Sequence, residues 1–452
     1  MKVGIIGGSG YVGLVTGAGL ARKGHEVVCM DIEAEKIRLL QRGHSPIHEQ
    51  GLTELIREGL RAERLFFTTE LAEAVRDREV VFIAVGTPAA EDGNADLNAV
   101  LTAARELAPH LRGYTVVALK STVPPGSSHL VKQVISRHLG PAGAEFDVVA
   151  NPEFLREGTA VRDFFYPDRI VLGVSTPKAH RVMLRLYSGF GAPMVVTDPA
   201  TAELTKYAAN AFLALKISFI NEMARLCEAV GANIHDLRHG LGTDRRIGLG
   251  HLHAGIGFGG PCLHKDLLAL MRTAERYGCP SKLLADVLAV NDDQIEFLVQ
   301  QLQKMIGRPL QGKVVALWGL AFKAGTSDTR NAPSLRIIRR LAGEGVRLAV
   351  YDPLVKVLPP EYEALVRHGE DPYQVARGAE ALVLVTEWPE FGEVDFFRLR
   401  EEMARPCVID GRNLLLPAVM ERCGFQYAGW GISGRPTAGC PEAQVLYGSV
   451  SA

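Results

Sequence analysis

Short apolar runs recur along the first two hundred residues, separated by amphipathic stretches. Residues 2–6, 26–30, 80–85, 115–119, 147–150 and 170–174 are rich in Val and Ile, and any charge falls on their first residue. Runs of that kind read as strands buried on both faces. Between them, 11–23 and 98–110 carry helical spacing. Strands alternating with helices predict a parallel sheet wound with helices. Near residue 201 the pattern changes. Residues 201–230 hold neither Gly nor Pro and predict one helix, long for a globular chain. Helical spacing continues over 261–277 and 283–306. The strand pattern then returns at 313–318, 347–351, 381–386 and 407–409, with a helix over 334–342. The expected fold is α/β, with two parallel-sheet domains joined by a long central helix and a helical middle domain. The expected bounds are 1–198, 199–307 and 308–436, followed by a mobile tail over 437–452.

Composition narrows the function. A chain of 452 residues suggests roughly three domains. Its 50 Lys and Arg against 51 Asp and Glu leave a net charge of −1, so no basic surface is on offer to nucleic acid. No apolar run approaches the ~18 residues of a membrane span. The seven cysteines include no C-x-x-C pair, which fits a reducing compartment and predicts a cytoplasmic protein without a zinc site. Residues 1–24 imitate a secretory signal, with Lys2 ahead of an apolar stretch. They also hold eight glycines, which suit a nucleotide loop better than a signal helix.

Gly8, Ser9, Gly10, Tyr11, Val12 and Gly13 spell G-x-G-x-x-G directly after a strand and at the opening of a helix. The first glycine permits a tight turn, the second a close approach to a pyrophosphate, and the third the packing of helix on strand. Asp31 ends the next strand, where an acid accepts hydrogen bonds from ribose hydroxyls and repels a 2′-phosphate. NAD is therefore the expected cofactor, and the domain reads as Rossmann-like.

Three further groups carry candidate chemistry. Pro261 suits the first position of a helix, which would put Cys262 in its first turn with His264 and Lys265 beside it. The helix end and these cations would both lower the thiol pKa, making Cys262 the candidate nucleophile among the seven cysteines. Lys206 and Asn210 lie four apart on one face of the long helix, and Asn221 falls near that face. They read equally as ligand-binding groups or as a solvated edge. Glu153 and Glu157 follow the strand at 147–150, where α/β sheets place ligands, and read either as a general base or as surface charge.

Together these stretches resemble the UDP-glucose 6-dehydrogenase family of nucleotide-sugar dehydrogenases over nearly the whole chain. Beyond the groups above, the resemblance rests on Gly86-Thr87-Pro88, Ser121-Thr122-Val123-Pro124 and the segment 151–158. It rests equally on the segment from Gly257 to Asp266, on Phe322-Lys323 with Asp328-Thr329-Arg330, and on Asp410-Gly411-Arg412.

The resemblance implies two Rossmann-like domains, the first binding NAD and the last a UDP-sugar, and a homodimer built through the central helix. It implies that NAD contacts the Gly8 to Gly13 loop, Asp31, Lys36, Thr87, Thr122, Glu157, Lys265 and Arg330. It implies a sugar-nucleotide site of Glu153, Phe154, Leu155, Arg156, Glu157, Lys206, Asn210, His251, Leu252, His253, Ala254, Gly255, Gly259, Lys323 and Arg412. The implied reaction oxidises the primary alcohol of UDP-glucose to a carboxylate with two NAD and one water. Cys262 would form a thiohemiacetal and then a thioester, and water assisted by Glu153 would hydrolyse it. Lys206 and Asn210 would stabilise charge on the sugar oxygen, Asp266 would orient water or move a proton, and Thr122 would complete the catalytic set.

The chain departs from the family pattern at Pro261, where Ser usually precedes the cysteine, and at His264, where a second proline is common. The same oxidation of UDP-N-acetylmannosamine or GDP-mannose stays open as an alternative. A single-step hydroxyacid dehydrogenase would leave Cys262 and the third domain without a use, and a non-catalytic NAD sensor would leave the nucleophile, acid and lysine without one.

Overall fold

The computed structural model describes residues 1–140 and 144–432, so the expected tail over 437–452, with Cys440, lies outside the described residues. Two compact units are present. One comprises Met1–Leu215, Gly259–Asp286 and Lys323–Arg330, and the other Lys216–Phe258, Val287–Phe322 and the described residues from Asn331 onward.

The first unit contains an eight-stranded sheet. Its strands are β1 (Lys2–Ile6), β2 (Glu26–Met30), β3 (Leu65–Thr68), β4 (Val80–Ile83), β5 (Tyr114–Leu119), β6 (Glu145–Ala150), β7 (Ile170–Gly173) and β8 (Met194–Thr197). They lie in the order β3-β2-β1-β4-β5-β6-β7-β8. Neighbours pair in parallel except β6 and β7, which meet antiparallel at Ala150 and Gly173. Alternate residues feed two cores. Val116 and Ala118 of β5 enter one, Val117 and Leu119 the other. Both faces are covered, which explains the nearly continuous apolar runs. From β1 the chain builds outward to β2 and β3, then returns to place β4 on the other side of β1. The crevice beyond the strand ends at such a reversal is where α/β sheets bind ligands.

The second unit repeats that winding with six parallel strands: β9 (Val314–Trp318), β10 (Arg347–Tyr351), β11 (Val366–His368), β12 (Ala381–Leu384), β13 (Cys407–Asp410) and β14 (Gln426–Gly429). Their order is β11-β10-β9-β12-β13-β14. The expected α/β fold with two parallel sheets is borne out. The apolar pattern does not mark β3, β8, β11 or β14. All four are sheet edges of three or four residues. Edge strands bury less surface, and Val195 and Val196 of β8 stay exposed, so no alternation reveals them.

Helices occupy the stretch of chain between β8 and β9: Pro199–Val230, Ile234–Gly242, Leu263–Arg276 and Lys282–Ile306. The long helix opens at Pro199, two residues before the expected start, because proline suits a first turn. Its two sides differ. Glu203, Lys206, Asn210 and Asn221 are buried. Leu204, Phe212, Phe219, Leu226 and Val230 are exposed, and at about 100° per residue they fall within about 80° of arc on the opposite side. Among the described residues no helix is long and apolar enough to cross a membrane, and the six described cysteines are free.

Candidate active site

The end of β1 builds the glycine loop. Gly7 carries the positive φ, +83°, so the tight turn falls one residue before Gly8, where the motif predicts it. Gly8 is required by space instead, since a Cβ there would stand 2.6 Å from the Cβ of Cys29. A Cβ on Gly13 would stand 2.2 Å from the Gly7 carbonyl oxygen, so this glycine lets the helix Tyr11–Arg22 close on the strand. At Gly10 a Cβ would meet nothing nearer than 3.4 Å. Gly10 is the N-cap of that helix, and its carbonyl accepts the first helical bond from Leu14 (2.8 Å). The amides of Tyr11, Val12 and Gly13 therefore precede the helical ladder.

Asp31, just past β2, accepts from the amides of Ser9 (3.1 Å) and Glu33 (3.2 Å). Ser9 is buried, and its hydroxyl has no partner among the described residues. Helix-end amides, an orphaned hydroxyl and a fixed carboxylate fit a dinucleotide. The Tyr11 hydroxyl bonds Glu49 and accepts from the Gly158 amide (2.8 Å). Lys36 is partly exposed and pairs with Glu33 at 2.6 Å. Thr87, after β4, donates to the carbonyl of Thr122 (2.9 Å), after β5.

A buried charge cluster follows β6. The Lys206 ammonium, from the long helix, lies 3.4 Å from a Glu153 carboxylate oxygen. Glu153 also accepts from the Leu155 amide (2.5 Å). One turn along the helix, Asn210 Nδ2 donates to Asp266 (2.7 Å), whose other oxygen takes the Lys265 ammonium (2.5 Å). The protein itself thus supplies partners to the polar face of the helix, and the reading as a solvated edge is excluded by burial. Phe154 is flanked by Arg169, 3.6 Å above its ring, and by Lys206 at 5.2 Å. Arg156 is exposed and paired with Asp163 (2.6 Å). Glu157 lies 3.6 Å from Arg330, which also pairs with Asp328. Burial, then Asp328, pushes the Glu157 carboxyl up to about 7, against the pull of Arg330 and Lys323. Gly259 belongs to this same unit.

Cys262 stands at the N-cap of Leu263–Arg276, and its carbonyl accepts from the Asp266 amide (2.9 Å). The helix thus starts two residues later than the spacing predicts, and Pro261 precedes it. The thiol is open to solvent but crowded by its surroundings. Its pKa moves opposite to the expectation. Desolvation first, then Asp266 and Glu153, push it up to about 11, and Lys206 and Lys265 offset this only in part. Sequence neighbours reveal the cations and the helix end; they do not reveal burial or Glu153.

The remaining expected residues lie in the other unit, around the loop at 251–255. The Gly255 amide donates to Asn221 Oδ1 (2.8 Å), and a Cβ on Gly255 would stand 2.4 Å from the Gly411 carbonyl. Leu252 and Ala254 turn into the core, so they offer backbone only. His251 takes φ +62°. His253 bonds Arg238 (2.9 Å), and burial, then Arg238, pushes it down to about 4. Arg412 donates to the carbonyls of Val385 (2.8 Å) and Gly257 (3.0 Å) and lies 3.2 Å from Glu387.

Sequence reasoning misses Lys120, Asn151 and Glu49. Lys120 and Asn151 immediately follow β5 and β6, and polar residues at strand ends are the signal that marks them. Glu49 lies between helices, where no pattern singles it out.

Three family models match the chain in order. The NAD binding domain of the UDP-glucose/GDP-mannose dehydrogenase family matches residues 1–191, its central domain 200–293 and its UDP binding domain 316–417. The chain is 46% identical over 444 residues to the UDP-glucose 6-dehydrogenase of Pseudomonas aeruginosa, covering 96% of this chain and 97% of that one. A UDP-glucose dehydrogenase structure from Pyrobaculum islandicum gives a TM-score of 0.88 at 37% identity, over 96% and 98% of the two chains. A UDP-D-ManNAc dehydrogenase structure from Pyrococcus horikoshii gives 0.83 at 29% identity, over 95% and 99%.

The raised thiol predicts slow alkylation without cofactor or substrate. Iodoacetamide modification of Cys262, followed by peptide mapping, should still be accelerating between about pH 8 and pH 10. A rate that levels off below about pH 8 would show a thiolate already formed.

Proposed function

The chain belongs to the UDP-glucose/GDP-mannose dehydrogenase family, and from that membership we propose that it oxidises UDP-glucose to UDP-glucuronate through a thioester on Cys262. Membership makes it an NAD-dependent nucleotide-sugar dehydrogenase. The observation that carries the finer reading is the gathering of Cys262, Lys206, Glu153, Asn210 and Asp266 in one unit, with Cys262 in the field of both carboxylates and both lysines. When bound, NAD supplies the hydride acceptor for both oxidations.

The residues then divide the work. Lys206 and Asn210 stabilise negative charge on the sugar oxygen. The Cys262 sulfur adds to the aldehyde carbon, giving a thiohemiacetal that keeps the intermediate in place and still carries a hydride to lose. Because desolvation by its neighbours favours the protonated thiol, its proton leaves as the bond forms, and Asp266 would take part in that transfer. Glu153 then removes a proton from water as it attacks the thioester carbonyl, the C–S bond breaks, and the thiol is restored. Thr122 assists this set. The Gly8 to Gly13 loop, Asp31, Lys36, Thr87, Glu157, Lys265 and Arg330 hold NAD. In the first unit Phe154, Leu155, Arg156, Gly259 and Lys323 are the proposed sugar-nucleotide contacts; in the second, residues 251–255 and Arg412 are.

We assign domain bounds at 198 and 307, a cytoplasmic setting, and a homodimer through the long helix. The apolar stripe from Leu204 to Val230 supports the dimer, since an exposed row of large apolar groups opposite a buried face marks an interaction surface.

With limiting UDP-glucose and excess NAD, two NADH should form per sugar. One per sugar would overturn the thioester route, and none with UDP-glucose but two with UDP-N-acetylmannosamine would move the substrate. Cys262→Ser should form no acid. In sedimentation the parent should run at twice the chain mass and Phe212→Glu at the chain mass; an unchanged dimer would exclude the stripe.

A further inference from the structure

Glu49 is a buried carboxylate that the proposed chemistry leaves unused. It lies between the helices Ala34–Gln41 and Leu52–Arg61 and is 7% exposed. Three donors meet it. The Tyr11 hydroxyl, from the glycine loop, donates to Glu49 Oε2. The Gly158 amide donates to the same oxygen (2.7 Å) and to the Tyr11 hydroxyl (2.8 Å). The Val161 amide donates to Oε1 (3.3 Å). One side chain thus joins the nucleotide loop to the end of the turn that carries Glu153 and Glu157. All of these groups belong to the first unit.

We propose that Glu49 is a positioning residue for the cofactor, locking the 151–158 turn onto the glycine loop so that both offer NAD one preformed surface. The inference rests on the reading of that loop and of Glu157 as NAD contacts. The turn ends at Gly158, which takes φ +84°, and a Cβ there would stand 3.1 Å from the Gly325 carbonyl oxygen. It is held through its backbone, with Glu49 and Tyr11 as the partners of its amide. Glu157, one residue earlier, lies 3.6 Å from Arg330, and a shift at Gly158 moves it.

Only a carboxylate suits this node, since it accepts at both oxygens and donates at neither. Gln would turn its NH2 group toward at least one of the three donors. Steadying the start of the helix Ala160–Phe165 accounts for the Val161 bond. It does not account for Tyr11, which comes from the glycine loop. A surface already in place spares the cost of ordering it on binding, so the node reads out as cofactor affinity.

The test is the Kd of NADH, followed by its fluorescence, with KM for NAD and Tm, for the parent, Glu49→Gln, Gly158→Ala and Glu157→Ala. Well below its own Tm, Glu49→Gln should bind NADH about tenfold more weakly, and KM for NAD should rise by a similar factor. Gly158→Ala displaces the same turn with Glu49 intact. It should also weaken NADH, and it gives the reading if Glu49→Gln does not fold. Because Glu49 acts through Glu157, the double variant Glu49→Gln/Glu157→Ala should lose little more than the worse single variant. Losses that multiply, or a lowered Tm with the parent's Kd and KM, would assign Glu49 to stability alone and overturn the proposal. The parent's Kd in Glu157→Ala would instead overturn the reading of Glu157 as an NAD contact, and the proposal with it.

Discussion

Buried charge is the constraint on which the first unit's chemistry depends. Lys206 and Asp266 are both almost wholly buried, and a buried charge without a partner costs more than most single contacts return. Each must therefore be met. The turn after β6 brings Glu153 to Lys206, and the start of the cysteine helix brings Asp266 to Asn210 and Lys265. The same meetings place Cys262 among those groups. The long helix thus aligns the candidate catalytic residues through the partners that its buried face requires.

This arrangement also explains the thiol. A cysteine at a helix start beside lysines would ordinarily ionise readily. Here desolvation and two carboxylates push it up instead, so in the proposed reaction it would act when a proton acceptor and an electrophile arrive together.

Much of the fold is legible in the sequence because the central strands are buried on both faces and leave continuous apolar runs. The edges β3, β8, β11 and β14 are not legible, since strands of three or four residues are too short to carry such a signal. Glycine spacing locates the nucleotide loop but not the burden on each glycine, as Gly7 takes the positive φ and Gly8 the steric restriction. Among site residues, Cys262, Lys206 and Asn210 stand out by neighbours and spacing. Lys120 does not, because its burial and its bond to Asn151 come from a neighbouring strand end. The sign of the thiol shift is illegible for the same reason: sequence neighbours are visible, desolvation is not.

The central claim is a covalent acyl group on Cys262, and the most direct measurement looks for it. Glu153→Gln should slow hydrolysis while leaving both oxidations possible, so acid quenching during turnover of UDP-glucose should trap the intermediate. Intact mass and peptide mapping should then find the sugar nucleotide, at the acid oxidation level, attached at Cys262. Free acid or aldehyde in solution, with Cys262 unmodified at every quench time, would contradict the account.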